Sequence, residues 1–344
     1  MARPKSLQTL LDDARAQIAV TDAELDEARR RRGLVKAALL KAFPGSRVYF
    51  NGSIAHGDAN TPLTDFDVGV VVRGAERRYG PGRRGPRDLM ERARKALRAE
   101  LAAEFPKLTV TVEGQRRAVL VHFGEPVTPG TSDFTADVIV AVDNLGGRGI
   151  FIPDLPSDGW DPSDPETHTR LVLAANRATE RVFARTMRLL KYWCIHHGQP
   201  LCSWHLKVLA LDCITTKLPL AEALRAFFAH AAVALRAGPT LDPAGVSGPI
   251  EPNLPIGEVL ARIDKALDLV GGAVRAEAEG RPFTAQHLLA LLLPGIVPDA
   301  DPDDLREEEA ARLAREAAEG RSTGVGQAAT LVIPRTRAWG DGTA

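Results

Sequence analysis

The chain is expected to be an α+β protein, a mixed-sheet lobe followed by an all-helical one. Three observations lead there. Strand-like apolar segments lie before Asp143, a Gly-, Pro- and Asp-rich stretch follows, and from Arg170 the apolar spacing is almost wholly helical. Taken in order, residues 6–42 carry Leu7, Leu10 and Leu11, then Leu34, Ala38 and Leu39, at helical intervals until Pro44 ends the pattern. Residues 46–50 (SRVYF) predict a strand, and 65–72 (DFDVGVVV) a buried one. Residues 86–105 return to helix. Segments 108–113 and 117–123 predict a hairpin turning at Gly114 and Gln115, and 134–142 a further strand. NLGGRGIFIPDLPSDGWDPSDPETH is read as loop crossing between lobes. Helices are then expected over 171–197, 203–216, 221–235, 256–279 and 284–293. The boundaries follow: 1–168 for the mixed-sheet lobe with its N-terminal helix, 169–321 for the helical lobe, 322–344 for a flexible tail.

Composition narrows the class. The 344 residues hold 44 Lys+Arg against 44 Asp+Glu, and 44% are hydrophobic, enough for a sizeable core and too balanced for a generally basic coat protein. Three Cys are too few for a disulfide scaffold, which favours a reducing, cytoplasmic setting. The start, MARPKSLQTLLDDARAQ, lacks the apolar core of a signal peptide, and the most apolar stretch, 288–297, is too short to span a bilayer. Charge is nevertheless uneven: residues 73–98 hold ten basic and three acidic side chains, and 299–319 nine acidic and three basic. The bland reading is two solvated faces; the sharper one makes the Arg-rich stretch a phosphate-facing lid or nucleic-acid contact.

The chemistry concentrates in NGSIAHGDANTPLTDFDVGVVV, residues 51–72. Asp65 and Asp67 are one residue apart on a predicted strand, so both carboxylates leave the same face. They repel unless a cation neutralises them, and Mg²⁺ suits hard oxygen ligands shared with substrate phosphates. Gly52 and Ser53, between a strand and a short helix, offer backbone N–H groups and a hydroxyl to phosphate oxygens. Asp137, alone among Ala, Val and Ile on a later strand, is a costly acid that needs a reason and is the candidate third carboxylate. Read blandly, the three acids are strand-end or capping groups. The pattern of Cys194, His196, His197, Cys202 and His205 is not a standard zinc spacing, and neither GxGxxG nor GxxxxGK[ST] is present.

The GS pair, the DFD strand and the later strand Asp together resemble the polymerase-β-type nucleotidyltransferase superfamily. Downstream, Trp160, Pro165, His168, Asn176 and the run from Arg188 through Lys191 to Trp193 resemble the bacterial cGAS/DncV-like nucleotidyltransferases, relatives of oligoadenylate synthase. LCSWHLKVLALD and LDPAGVSGPIEPNL are similar to that family's Ser-aromatic helix start and its Asp-Pro…Asn loop. Two features depart from the pattern: HLLALLLPG stands where relatives carry an aromatic segment ending Phe-Gly, and the Arg-rich loop is enlarged.

The resemblance implies a polymerase-β-type lobe with a mixed sheet, an oligoadenylate-synthase-like helical lobe, and an active site in the cleft between them. It implies that Asp65, Asp67 and Asp137 hold two Mg²⁺ ions, with Mn²⁺ as an alternative, and that Gly52 and Ser53 grip the triphosphate. Lys191 and Ser203 would bind β- and γ-phosphates, and Trp204 would stack on a base where relatives usually carry Tyr. Their bland readings are an exposed helix Lys, an N-cap Ser and a core Trp. The implied function is synthesis of a cyclic di- or trinucleotide messenger from NTPs in anti-phage defence by a monomer with no membrane attachment. The tail RTRAWGDGTA resembles C-termini joined to a target through a ubiquitin-like transferase. A template-free transferase acting on RNA or a small molecule, and a non-catalytic nucleotide or RNA binder, are the competing readings.

Overall fold

The structure, a computed structural model, describes residues 4–128 and 130–318. The expected tail, 322–344, lies outside the described residues. The chain divides into two compact units, 1–300 and 301–344. Within the second, α12 (Pro302–Ala318) is a charged helix in which Arg312 pairs with Glu309 and Glu316.

The first unit opens with α1 (Leu7–Gln17), capped by Ser6, and α2 (Asp22–Ala42), whose Thr21 and Glu24 form a reciprocal capping box. β1 (Arg47–Asn51), the short α3 (Gly52–His56) and β2 (Asp65–Val71) follow. After α4 (Glu76–Tyr79) and α5 (Arg87–Leu101) come β3 (Thr109–Thr111), β4 (Val119–His122) and β5 (Thr135–Asp143). The sheet order is β1-β2-β5-β4-β3, and only β2 and β5 run parallel, so the sheet is mixed as expected. Phe66, Val68 and Val70 of β2 and Ala136, Val138 and Val140 of β5 point to one face, buried under α2 and α5. There the guanidinium of Arg31 lies 5.1–5.3 Å from the rings of Phe105, Phe123 and Phe134. That cationic plug bonds Glu27 and the carbonyl of Glu125, which offsets its burial.

The stretch read as a crossing loop is instead a hairpin: β6 (Ile150–Asp154) and β7 (Gly159–Ser163) pair antiparallel, and β6 joins β5 through Val142 and Phe151. Its Gly, Pro and Asp content hid a ribbon whose pairing is decided by the neighbouring strand. The helix expected over 171–197 is two, α6 (Pro165–Ala178) and α7 (Val182–His196). Glu180 and Arg181 adopt left-handed backbone there, φ 49° and 70°, without a Gly or Pro to announce the break. α8 (Ser203–Cys213), α9 (Leu220–Ala237), α10 (Ile256–Ala278) and α11 (Pro282–Leu292) complete the unit.

These helices enclose a second core around Trp193, Phe227, Phe228, Val259, Ile263 and Leu289. α1 belongs to it: Leu7, Leu10, Leu11 and Ala14 are buried there, and the Leu7 N–H donates to Glu277 at 2.6 Å. The first helix of the expected 1–168 lobe is therefore packed with the helices beyond residue 169. Three buried leucines, each worth about 1.5–3 kcal/mol against exposure, fix that choice.

Candidate active site

The acids converge. On β2 the alternation that buries Phe66 and Val68 turns Asp65 and Asp67 to the opposite face, and parallel pairing with β5 sets Asp67 directly beside Asp137. Ile139, the next β5 residue on that face, lines the same cavity as Asp65 and Asp67. None of the three carboxylates accepts a hydrogen bond or an ion-pair partner from the described residues. Burial, then the charges of Asp65 and Asp137, push the Asp67 carboxyl up to about 6. Burial followed by Asp65 raises Asp137, and burial raises Asp65. Acids left without protein donors at low local dielectric are a donor set for a hard cation.

Among the described residues no group of three or more His, Cys, Asp and Glu is gathered closely enough to hold a metal by itself. Gly52 makes the arrangement possible. A Cβ there would stand 1.7 Å from Oδ2 of Asp67, and the residue has φ +74°, so the α3 backbone comes up against the carboxylate only because no side chain intervenes. Ser53 follows it and lines the cavity.

Behind α3 lies a cluster that the sequence reading missed. Asp58 is fully buried between two ammonium groups, 3.1 Å from Lys191 Nζ and 3.1 Å from Lys207 Nζ. Lys207 also donates to His56 Nδ1 at 2.8 Å; since an ammonium only donates, the proton of His56 sits on Nε2, which donates to Thr169 Oγ1 at 3.1 Å. Burial, then Lys207, holds His56 down to about 3, so it stays neutral. Burial would raise Asp58, but Lys207 and Lys191 together keep it below the usual carboxylate range. The predicted phosphate ligand Lys191 is thus no exposed helix Lys; it is half-buried, lines the cavity, and is held from below by Asp58. HGDAN, between GS and DFD, was the available signal, but nothing local ties Asp58 to lysines 133 and 149 residues further on.

Ser203 and Trp204 also line this cavity, which measures about 1310 Å³; Asp137, beside Asp67, is not among its lining residues. Ser203 is the first residue of α8 rather than its N-cap; Cys202 caps the helix by accepting from the His205 N–H, leaving the Ser203 hydroxyl unengaged by the described residues. Trp204 packs against His168, the ring centroids 4.4 Å apart and the planes tilted by 36°. His168 Nε2 in turn contacts Asp242 Oδ1 at 2.6 Å, and Asp242 accepts from the N–H groups of Ala244, Val246 and Ser247. The Asp-Pro loop therefore props the indole. The Cys and His residues weighed as zinc ligands have separate partners: Cys194 bonds the Leu201 carbonyl, His197 that of Leu292, and His205 the hydroxyl of Thr240.

No family model matches the chain. Among curated proteins it is similar to a cyclic AMP-AMP-AMP synthase of Escherichia coli (strain MS 115-1), 30% identical over 200 residues. That match spans 55% of this chain and 57% of the relative, so little more than half of the relative's length is represented. The fold is similar to that of E. coli MS115-1 CdnC with ATP, at TM-score 0.63 and 17% identity, covering 86% of this chain and 99% of the other. It is also similar to Vibrio cholerae DncV cyclic AMP-GMP synthase, at TM-score 0.62 and 12% identity, with 86% and 98% covered. The chain has the polymerase-β-type fold of the cGAS/DncV-like nucleotidyltransferases.

Proposed function

We propose that the chain is a divalent-metal-dependent nucleotidyltransferase that joins NTPs into a cyclic oligonucleotide messenger of anti-phage signalling. One observation carries the reading: Asp67 and Asp137 stand side by side on parallel strands with Asp65 two residues earlier on the same face, and Asp65 and Asp67 line a large cavity. Three acids gathered without protein donors are of little use to a mere binder, and the curated similarity is to a cyclic trinucleotide synthase.

Asp65, Asp67 and Asp137 would hold two Mg²⁺ ions, which when bound supply charge stabilisation at the donor phosphates and acidify the attacking hydroxyl. The chain's own groups do the aligning. Gly52 brings the α3 backbone to the phosphates, and the Ser53 hydroxyl adds a donor. Lys191 and Ser203, across the cavity, bind the β- and γ-phosphates and favour pyrophosphate as the leaving group. Trp204 stacks on one base. Asp137, its carboxyl raised by burial, is suited to take the ribose hydroxyl proton. Two nucleotides meeting in one cavity react because they are aligned, which needs few functional groups.

Incubation of the protein with Mg²⁺ and mixed NTPs, followed by phosphatase treatment and mass spectrometry, tests this reading. Phosphatase-resistant cyclic products that disappear in Asp67→Asn are expected. Label transferred instead to added RNA, or nucleotide binding without pyrophosphate release, would replace the reading with a template-free transferase or a binder. Among the described residues no helix is long and apolar enough to cross a membrane.

A further inference from the structure

α3 forms one wall of a second cavity, of about 720 Å³, enclosed by α2, α6 and the start of α7. Ser53 and His56 line both cavities, so the two adjoin at the same short helix. The second has an apolar floor that includes Leu25, Ile54 and Leu173, and five arginines around it: Arg29, Arg32, Arg177, Arg181 and Arg188. Its single lining carboxylate among the described residues, Glu180, is taken by Lys217 at 2.6 Å. Arg29 pairs with Asp26. Arg32, Arg177, Arg181 and Arg188 have no carboxylate within ion-pair distance among the described residues.

Some of the chain's arginines find acids three or four residues along the helix, as Arg30, Arg94, Arg225 and Arg262 do. Here the arginines line one hollow instead. Arg188 donates to the Gly57 carbonyl at 3.2 Å, its Nε is buried without a partner, and the Arg181 guanidinium lies 3.8 Å from where a Cβ of Gly57 would stand. Arg32 lies flat on Phe50, 4.1 Å from the ring centroid. Burial, then Arg15 and Asp58 with opposite signs, then Arg181 and Arg185, act on Arg188; its proton is held less tightly than usual. Asp58, the acid whose charge acts on Arg188, is already shared by two lysines.

We infer that this cavity is a second ligand site, distinct from the nucleotidyl-transfer cavity, for a small molecule carrying two or more phosphate groups. Guanidinium forks match phosphate oxygens bidentately, and several unpaired forks around one hollow favour a multiply charged ligand over a single carboxylate. The apolar floor accommodates an uncharged body between the anionic ends. A purely solvated Arg face would not need the left-handed Arg181 and the Gly57 approach that aim two guanidinia at one point.

Calorimetric titration of the full chain with inorganic tripolyphosphate, in chelator so that the carboxylate site stays uncharged by metal, decides it. Wild type and Arg225→Ala, which removes an arginine outside both cavities that pairs with Glu222, are expected to bind alike, while Arg32→Ala/Arg177→Ala binds weaker by about tenfold or more, as each lost charge-assisted contact implies. Arg177→Lys should recover part of the loss. Unchanged affinity in the arginine variant, or loss in Lys191→Ala alone, overturns the inference, because the anion then sits in the transfer cavity. So does a DNA duplex that binds the same arginines more tightly than tripolyphosphate, since the surface is then a nucleic-acid face. Should the double variant melt early, Arg177→Gln alone, at an exposed helix position, carries the same comparison.

Discussion

The Nζ of Lys191 stands 3.1 Å from Oδ1 of Asp58, a carboxylate that no solvent reaches. The same carboxylate faces the buried Lys207, so one buried negative charge serves two positive ones and leaves a surplus of one. That surplus sits beside a cavity floored by acids and suited to a polyphosphate. Asp58 thus determines where Lys191 can place its charge.

Asp58→Asn is expected to destabilise the fold by about 3–5 kcal/mol, the usual result of removing one partner from a buried ionic group. Two ammonium groups would then face each other without a counterion. Asp58→Asn/Lys207→Met should recover much of that loss, giving strongly non-additive urea unfolding energies. Additive energies would mean that the contact contributes little. In the double variant, nucleotide KM should rise more than kcat falls, because Lys191 is present but no longer held.

His56 gives the fold an acid limit. Its folded pKa, about 3, lies far below the ordinary imidazole value of about 6.5, so at pH between these values the unfolded chain takes up a proton that the folded chain refuses. The associated stability is complete above about pH 6.5 and is lost progressively as pH falls toward 3. Asp58, itself depressed, adds a further loss only below about pH 4. Urea midpoints from pH 7.5 to 4.5 should therefore fall for wild type, and fall less steeply for His56→Gln. Parallel curves for the two proteins would assign the acid sensitivity elsewhere.

Gly52→Ala tests whether the α3 backbone must touch the carboxylate. The new methyl would collide with Oδ2 of Asp67, and a positive φ costs a non-glycine residue about 1–2 kcal/mol. Pyrophosphate release is expected to drop by about 100-fold or more, on the scale of a misplaced catalytic group, with a loss of only ~1–2 kcal/mol in global stability. Asp67→Asn should abolish release and also the Mg²⁺-dependent rise in melting temperature. Near-normal turnover in Gly52→Ala would show that the approach is incidental.

Much of this geometry was legible in the chain because it is local. Asp65 and Asp67 share a face through simple alternation, and Asp137 announced itself as an acid among Val and Ile. That β5 would lie parallel to β2, setting Asp137 against Asp67, is a long-range pairing that the sequence constrained only through the resemblance. Asp58 was invisible for the same reason, its lysines arriving from two later helices. The capping role of Cys202 was hidden by the neighbouring Ser203, a commoner cap; the thiol takes it because its backbone is extended, φ −72° and ψ 160°. α1 read correctly as a helix, but which core it would join was a matter of packing, decided by Leu7, Leu10 and Leu11 against the later helices.

Trp204 separates stacking from core packing. The indole is half-buried, lines the cavity, and rests on His168, so one face has a protein partner while other edges reach the lumen. If it stacks on a base, Trp204→Ala should raise the KM for at least one nucleotide by about tenfold, in line with ~1–3 kcal/mol per stacked base. Trp204→Tyr should retain most of the affinity, since a phenol ring offers a comparable π-face. His168→Ala, which removes the prop but leaves the indole, should give an intermediate KM with kcat little changed. A purely structural Trp204 predicts another pattern: a lower melting temperature in Trp204→Ala, with the KM of every nucleotide unchanged in the surviving folded fraction. Steady-state kinetics with each NTP varied in turn, alongside thermal melts of the same preparations, distinguish the two.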